Sequence, residues 1–219
     1  SMCLDYQDAI DKITPLTVAI CHVHIGGIVS DAALKLAQYC KQHDLFFVED
    51  AAQAHGSINK GIQAGTLGIA AGFSFYSTKV ITTGEGGMVT TDDEELVSKM
   101  KSIREFGKEK KGTWTNYHTR IGYNWRMPEV AALMGIRQLH SIEDFINKRH
   151  KIALAYDSIL QNFGEIQIIR SPSESRFNFF KYTVILKNIN RELVHKSLEK
   201  KGIELSGYVY ELPLHKQPV

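Results

Sequence analysis

What this chain lacks narrows it first. No run of residues approaches the unbroken apolar length of a membrane span, and no signal peptide is expected. Cysteine is scarce: Cys3, Cys21 and Cys40 are odd in number and show no metal-ligand spacing. That argues against a disulfide framework and predicts reduced, mostly buried thiols in a cytoplasmic protein. Neither sign of charge is in excess. Lys and Arg number 26 against 24 Asp and Glu, a net charge of +2, so nothing global points to nucleic acid or to an anionic membrane. Internal repeats and low-complexity segments are missing too. The 43% hydrophobic and 23% charged residues are ordinary for a globular protein. A length of 219 residues gives one large domain, or one and a part.

What is there begins as strand alternating with helix. A short helical pattern over 5–13 precedes an apolar strand run, Thr17 to Cys21. His22 and His24 then lie on one strand face, which permits a metal pair, but no third ligand follows. A strand-end loop lining a pocket is the preferred reading. Ser30 is a good N-cap for a helix to about His43, with Ala33, Leu36, Ala37 and Cys40 inward. The run Leu45–Val48 comes next. Strand, helix, strand predicts a parallel pair buried on both faces. The second strand delivers Asp50 to its carboxyl end, where open α/β sheets bind ligands. A carboxylate there needs donors or a cation, and a helix N-cap or an arginine would also serve. Residues 58–70 read as a connecting loop.

Residues 72–79, GFSFYSTK, read as a short buried strand running into a turn that ends on Lys79. Lys79 can snorkel to the surface. Alternatively, desolvation lowers its pKa and makes it a nucleophile for a carbonyl. The turn 82–87 and a strand over 88–91 follow. A helix from Asp92, capped by Asp92 or Thr91, is stopped by Gly107 near Phe106. Residues 108–123 are polar and aperiodic, a surface loop whose Lys108, Lys110 and Lys111 could form a flap over an anionic substrate. Pro128 at a first helical position opens another helix. Apolar spacing from Ile142 to Leu160 predicts one long helix or a kinked pair, with a domain boundary near 140. Beyond Gly164 a small α+β unit is expected: a strand over 179–186, an Asn190-capped helix to Gly202, and a strand over 203–205.

Asp50, Gln53, Ser74 and Lys79 thus fall at one edge of one sheet. That set suits pyridoxal phosphate: a lysine for the aldehyde, a carboxylate for the pyridinium nitrogen, an amide for the ring and a hydroxyl for the phosphate. The stretches VHIGG (23–27), VEDAAQAHGS (48–57), FSFYSTK (73–79), TTGEGGMVTTDD (82–93), IREFG (103–107) and GYNWRMPEVAALMGIRQL (122–139) resemble the DegT/DnrJ/EryC1/StrS sugar aminotransferases. A weaker resemblance extends through 202–216. The resemblance implies an α/β fold, that of type I pyridoxal phosphate enzymes. Residues 1–140 would be part of the large cofactor-binding domain, and 141–219 a linking helix with part of a small α+β domain.

Carried onto this chain, Lys79 would be the Schiff-base lysine and would move the proton during transamination. Asp50 would bind the pyridine nitrogen, Gln53 would lie against the ring, and Ser74 would hold the phosphate. Asn124 would contact the phosphate of a partner subunit's cofactor, implying a homodimer. No metal is implied. The reaction would move an amino group from glutamate to a nucleotide-linked keto-sugar. Dehydratases in the family carry histidine in place of the lysine, so Lys79 favours transamination. Family chains are longer, so a fragment lacking both ends is expected. A non-catalytic remnant or interaction module is the alternative.

Overall fold

The chain opens with helix α1 (Tyr6–Asp11), which Asp5 caps by accepting the Asp8 N–H. Strand β1 (Ala19–Val23) runs into a single 3-10 turn over Ile25–Gly27. Helix α2 (Asp31–Gln42) follows, its first turn closed by the Ser30 hydroxyl accepting the Ala33 N–H at 3.1 Å. Strand β2 (Phe46–Asp50) returns parallel to β1, with Val23 opposite Asp50. The computed structural model from which these elements come describes residues 2–170, 174–205 and 216–218.

A small hairpin, β3 (Ile58–Asn59) and β4 (Ile62–Gln63), crosses the segment expected to be a plain loop. Its two turn residues, Lys60 and Gly61, both have positive φ, at 49° and 78°. That is the twist a two-residue hairpin turn needs. Strand β5 (Ala70–Ser74) lies parallel to β2, and β6 (Gly87–Thr90) lies antiparallel to β5. The central sheet therefore has the order β1-β2-β5-β6.

Helix α3 (Glu94–Arg104) is capped by Asp93, which accepts the Leu96 N–H at 2.9 Å. Neither expected cap residue does this. The Thr91 hydroxyl donates instead to the Ile69 carbonyl at 2.6 Å, fastening the end of β6 to the start of β5. The supposed loop after Gly107 contains a hairpin, β7 (Lys108–Lys111) and β8 (Trp114–His118), with an irregular register between Glu109 and Lys111.

Helices α4 (Glu129–His140) and α5 (Ile142–Leu160) meet at Ser141, so the long apolar pattern is a kinked pair. Pro128 is the N-cap of α4, not its first helical residue, because its ψ of 143° is extended. Strands β9 (Ile166–Ile168), β10 (Ser175–Arg176) and β11 (Val184–Leu186) and helix α6 (Arg191–Glu199) complete the elements. β11 pairs with β9, and β10 pairs with β3. The expected strand over 179–186 is shortened to β11. Residues 203–205 form no strand, and 206–215 lie outside the described residues.

One face of β1 and β2 is buried. Ile20 and Phe47 pack with Leu36 and Cys40 of α2, with Tyr6 and Ile10 of α1 laid against them. Burial of each large side chain there contributes roughly 2 kcal/mol. The opposite face is open among the described residues: Cys21 and Phe46 are exposed. Burial on both faces was expected of the pair, and burial of most cysteines; only Cys40 is fully buried. The reason is that α1 and α2 both cover the same side. Among the described residues no helix is long and apolar enough to cross a membrane.

Candidate active site

The carboxyl ends of β2 and β5 lie side by side, with Asp50 opposite Gly72. The Ala51 N–H donates to the Gly72 carbonyl at 2.9 Å. Asp50 is thereby set at the sheet edge, and its Oδ1 accepts the Ala52 N–H at 3.0 Å. No other hydrogen bond from the described residues reaches its carboxylate. Ser74 ends β5, and its Oγ accepts the Tyr76 N–H at 3.3 Å. The Lys79 N–H then donates to the Tyr76 carbonyl at 3.0 Å, closing the turn that aims the lysine.

Lys79 is held off its ordinary basicity. Burial pulls its pKa down, Asp50 opposes this, and Lys181 adds to it. Asp50 is thus near enough to support the ammonium, yet the two form no ion pair. Instead the Lys79 Nζ lies over the Phe180 ring, 5.0 Å from its centre. Both snorkelling and desolvation are open from sequence; the half-buried lysine with its lowered pKa has the second character.

Gln53 faces the 25–27 turn. Its Oε1 accepts the Gly26 N–H at 2.7 Å, which leaves its amide N–H groups for another partner. Asn124 does not join these four. It is exposed, accepts from Arg126 Nε at 3.1 Å, and bridges Glu105 after α3. Tyr123 and Trp125 stack on each other beside it at 4.1 Å and are also exposed.

Three features escape a reading of the sequence. His55, just past Gln53, packs its ring 5.3 Å from Phe73 and 5.5 Å from Phe75. Burial, and behind it the charge of Lys79, pull its imidazole down to about 4. Asn178 is fully buried and donates from Nδ2 to the carbonyls of Gln53 and His55 at 2.8 and 3.0 Å. Phe180 follows two residues later. The only sequence signal for these last two is an asparagine inside an aromatic run, FNFF. Third, His24 is bound to Glu49 at 2.9 Å, both fully buried, in place of the metal pair with His22 that the strand spacing permits. Among the described residues no group of three potential ligands could hold a metal ion.

Gly27 lets these parts meet. Its φ is 88°, and a Cβ there would strike the Asn178 amide and come within 2.9 Å of the Gln53 carbonyl.

The mostly parallel sheet with flanking helices is that of a class, the pyridoxal-phosphate-dependent aminotransferases of fold type I, to which the solved structures it superposes on belong. The sequence profile of one family within it settles the rest. The DegT/DnrJ/EryC1/StrS aminotransferase family matches residues 1–219, and the chain belongs to that family. It is 35% identical over 210 residues to GDP-perosamine synthase of Caulobacter vibrioides, covering 94% of this chain and 55% of that protein. The crystal structure of Helicobacter pylori PseC, an aminotransferase involved in pseudoaminic acid biosynthesis, superposes with a TM-score of 0.85 at 30% identity. That match covers 91% of this chain and 54% of PseC. DesV of S. venezuelae gives a TM-score of 0.87 at 31% identity, over 99% of this chain and 56% of DesV. The chain spans about half the length of the curated relatives it matches.

Proposed function

We propose that this chain is part of a pyridoxal-phosphate-dependent aminotransferase that moves an amino group from glutamate to a nucleotide-linked keto-sugar. The observation that carries the reading is the Lys79–Asp50 arrangement: a half-buried, pKa-lowered lysine faces a carboxylate without pairing with it. The Ser74 hydroxyl donates to no described residue, and the Gln53 amide N–H groups are likewise uncommitted.

Pyridoxal phosphate, when bound, supplies a ring that accepts the electron pair released as a C–H bond breaks next to nitrogen. The chain's own residues do the rest. Asp50 would hold a proton on the pyridine nitrogen through its uncommitted oxygen. Ser74 would donate to the phosphate, and Gln53 would lie against the ring. Lys79 would hold the cofactor through Nζ and move the proton during transfer. Burial raises the share of its neutral, proton-accepting form. In this reading residues 1–140 are part of the large cofactor-binding domain, and 141–219 a linking helix with part of the small domain.

The protein acts as a cytoplasmic homodimer in this reading, with Asn124 reaching the partner's cofactor phosphate. Support comes from its exposure beside exposed Tyr123 and Trp125, and from the apolar outer face of α4, where Val130, Leu133 and Ile136 are exposed.

The test is a visible spectrum of the purified chain with added pyridoxal phosphate, beside Lys79→Ala. A cofactor band that needs Lys79 and bleaches with glutamate supports the proposal. A folded chain that stays colourless at saturating cofactor would sink it in favour of a non-catalytic module.

A further inference from the structure

The buried His24–Glu49 pair stands behind the site and touches both loops that hold it. His24 Nε2 lies 2.9 Å from Glu49 Oε2, and its Nδ1 lies 3.2 Å from the Ile28 carbonyl. A carbonyl and an ionised carboxylate can only accept, so beside an ionised Glu49 both ring nitrogens donate. Burial pushes the Glu49 carboxyl up, but hydrogen bonds from His24 and from the Gly65, Gly68 and Leu67 N–H groups outweigh it and hold the carboxyl below its usual range. Its Oε1 accepts the N–H groups of Leu67 and Gly68, at 2.7 and 3.0 Å. Its Oε2 accepts the Gly65 N–H at 2.8 Å besides His24. Three main-chain N–H groups and the His24 ring thus surround the carboxylate.

The Cys3 thiol donates to the same Ile28 carbonyl at 3.7 Å, and among the described residues His22 also faces the pair, its ring centre 5.0 Å from that of His24. Burial, and next the charge of His24, draw its imidazole down to about 4, against the pull of Glu49. Adjacent buried histidines thus divide the roles, one neutral and one charged.

We infer that His24 is a positioning residue: as a protonated imidazolium paired with Glu49, it fixes the 25–27 turn and so holds Gln53 and Asp50 in place for the cofactor ring. The connections are short. The His24 N–H donates to the Asp50 carbonyl at 3.0 Å. Its Nδ1 fastens Ile28, just beyond the turn whose Gly26 N–H holds Gln53 Oε1. On the other side, Glu49 gathers the 65–68 loop that leads into β5 and Ser74. An ion pair buried this deeply contributes little net stability against apolar packing. Its use is to fix the relative placement of two loops and one strand end. The inference rests on the proposed cofactor site only for what is being positioned.

Two measurements decide it, and neither needs cofactor. Nitrogen-15 spectra of the histidine rings at about pH 8 should show one imidazolium, absent from His24→Gln. Amide exchange in His24→Gln should then speed up about tenfold or more at Gly26, with the β2 amides unchanged. Glu49→Gln is the second variant; there the His24 ring should revert to a neutral tautomer. A neutral His24 ring in the wild-type chain overturns the inference, and so does an unchanged Gly26 rate in both variants. A chain that takes up no pyridoxal phosphate would defeat the proposed function, while the ring spectrum and the exchange rates would still decide the state and role of His24.

Discussion

Asn178→Ala tests whether the segment after α5 is structurally part of the site. The side chain is fully buried and makes three hydrogen bonds: two donated to the Gln53 and His55 carbonyls and one accepted from the Phe180 N–H at 2.9 Å. The neighbouring main-chain bond, Asn178 N–H to Ser57 Oγ at 3.1 Å, survives the substitution. Each lost neutral hydrogen bond costs about 1 kcal/mol net, and about 1–3 kcal/mol where its partner stays buried and unsatisfied. Three such bonds, with some water entering the space left by the amide, put the loss at roughly 3–5 kcal/mol. Urea unfolding followed by far-ultraviolet circular dichroism measures it. The midpoint should fall sharply while the slope stays near its wild-type value, since the surface exposed on unfolding is unchanged. Asn178→Asp should do no better near neutral pH, because it sets a carboxylate against two carbonyls. A loss under about 1 kcal/mol in the alanine variant would refute the claim that this amide ties Phe180 to the Gln53 loop.

Acidification should weaken the fold between about pH 6.5 and pH 4. Unfolded imidazoles bind protons from about 6.5 downward, whereas His22 and His55 in the fold resist until about 4. The unfolded state holds more protons throughout that window, so stability falls as pH falls, by roughly 3 kcal/mol for each by pH 4. Urea midpoints across the range should drop, and His55→Phe should flatten part of the slope. Gly27→Ala should destabilise by roughly 2 kcal/mol or more, from a strained φ and the collision with Asn178, and Asn178→Ala should relieve part of it in a double-mutant cycle. Asn124→Ala should weaken cofactor retention in the dimer alone; equal loss in a monomeric preparation would rule out the cross-subunit role.

Much of the parallel core can be read from the sequence because its signals are local. Ser30 before an amphipathic run marks α2, and the apolar runs beside it mark β1 and β2. The edge positions of Asp50 and Ser74 follow from that topology. The hairpin β7–β8 escapes because its strands carry lysines where an alternation of apolar residues would be the signal. The β3–β4 turn is signalled only by Lys60-Gly61, and a lysine is an uncommon first residue for such a turn. Thr91 and Asp93 are both plausible caps; what chooses between them is the distant Ile69 carbonyl, which no local pattern contains. Asn178, Phe180 and the burial of Glu49 are of the same kind. Each depends on contacts between residues far apart in the chain, such as the 125 positions from Gln53 to Asn178.

The same contrast bears on how the site works. The groups proposed to meet the cofactor sit on β2, β5 and the turn beyond it, close in sequence and legible from it. The groups that fix their placement come from elsewhere: His24 from the end of β1, the 65–68 loop through Glu49, and Asn178 from beyond α5. Arg176 strengthens the last link with two bonds to Glu143 of α5, at 2.7 and 3.0 Å, and one to the Gly56 carbonyl at 3.3 Å. These contacts tie α5 through 176–180 to the Gln53 loop and to the aromatic ring over Lys79. Burial is what lowers the Lys79 pKa, so the packing of this distant segment bears on the basicity of a lysine that the local sequence alone would leave free to reach solvent.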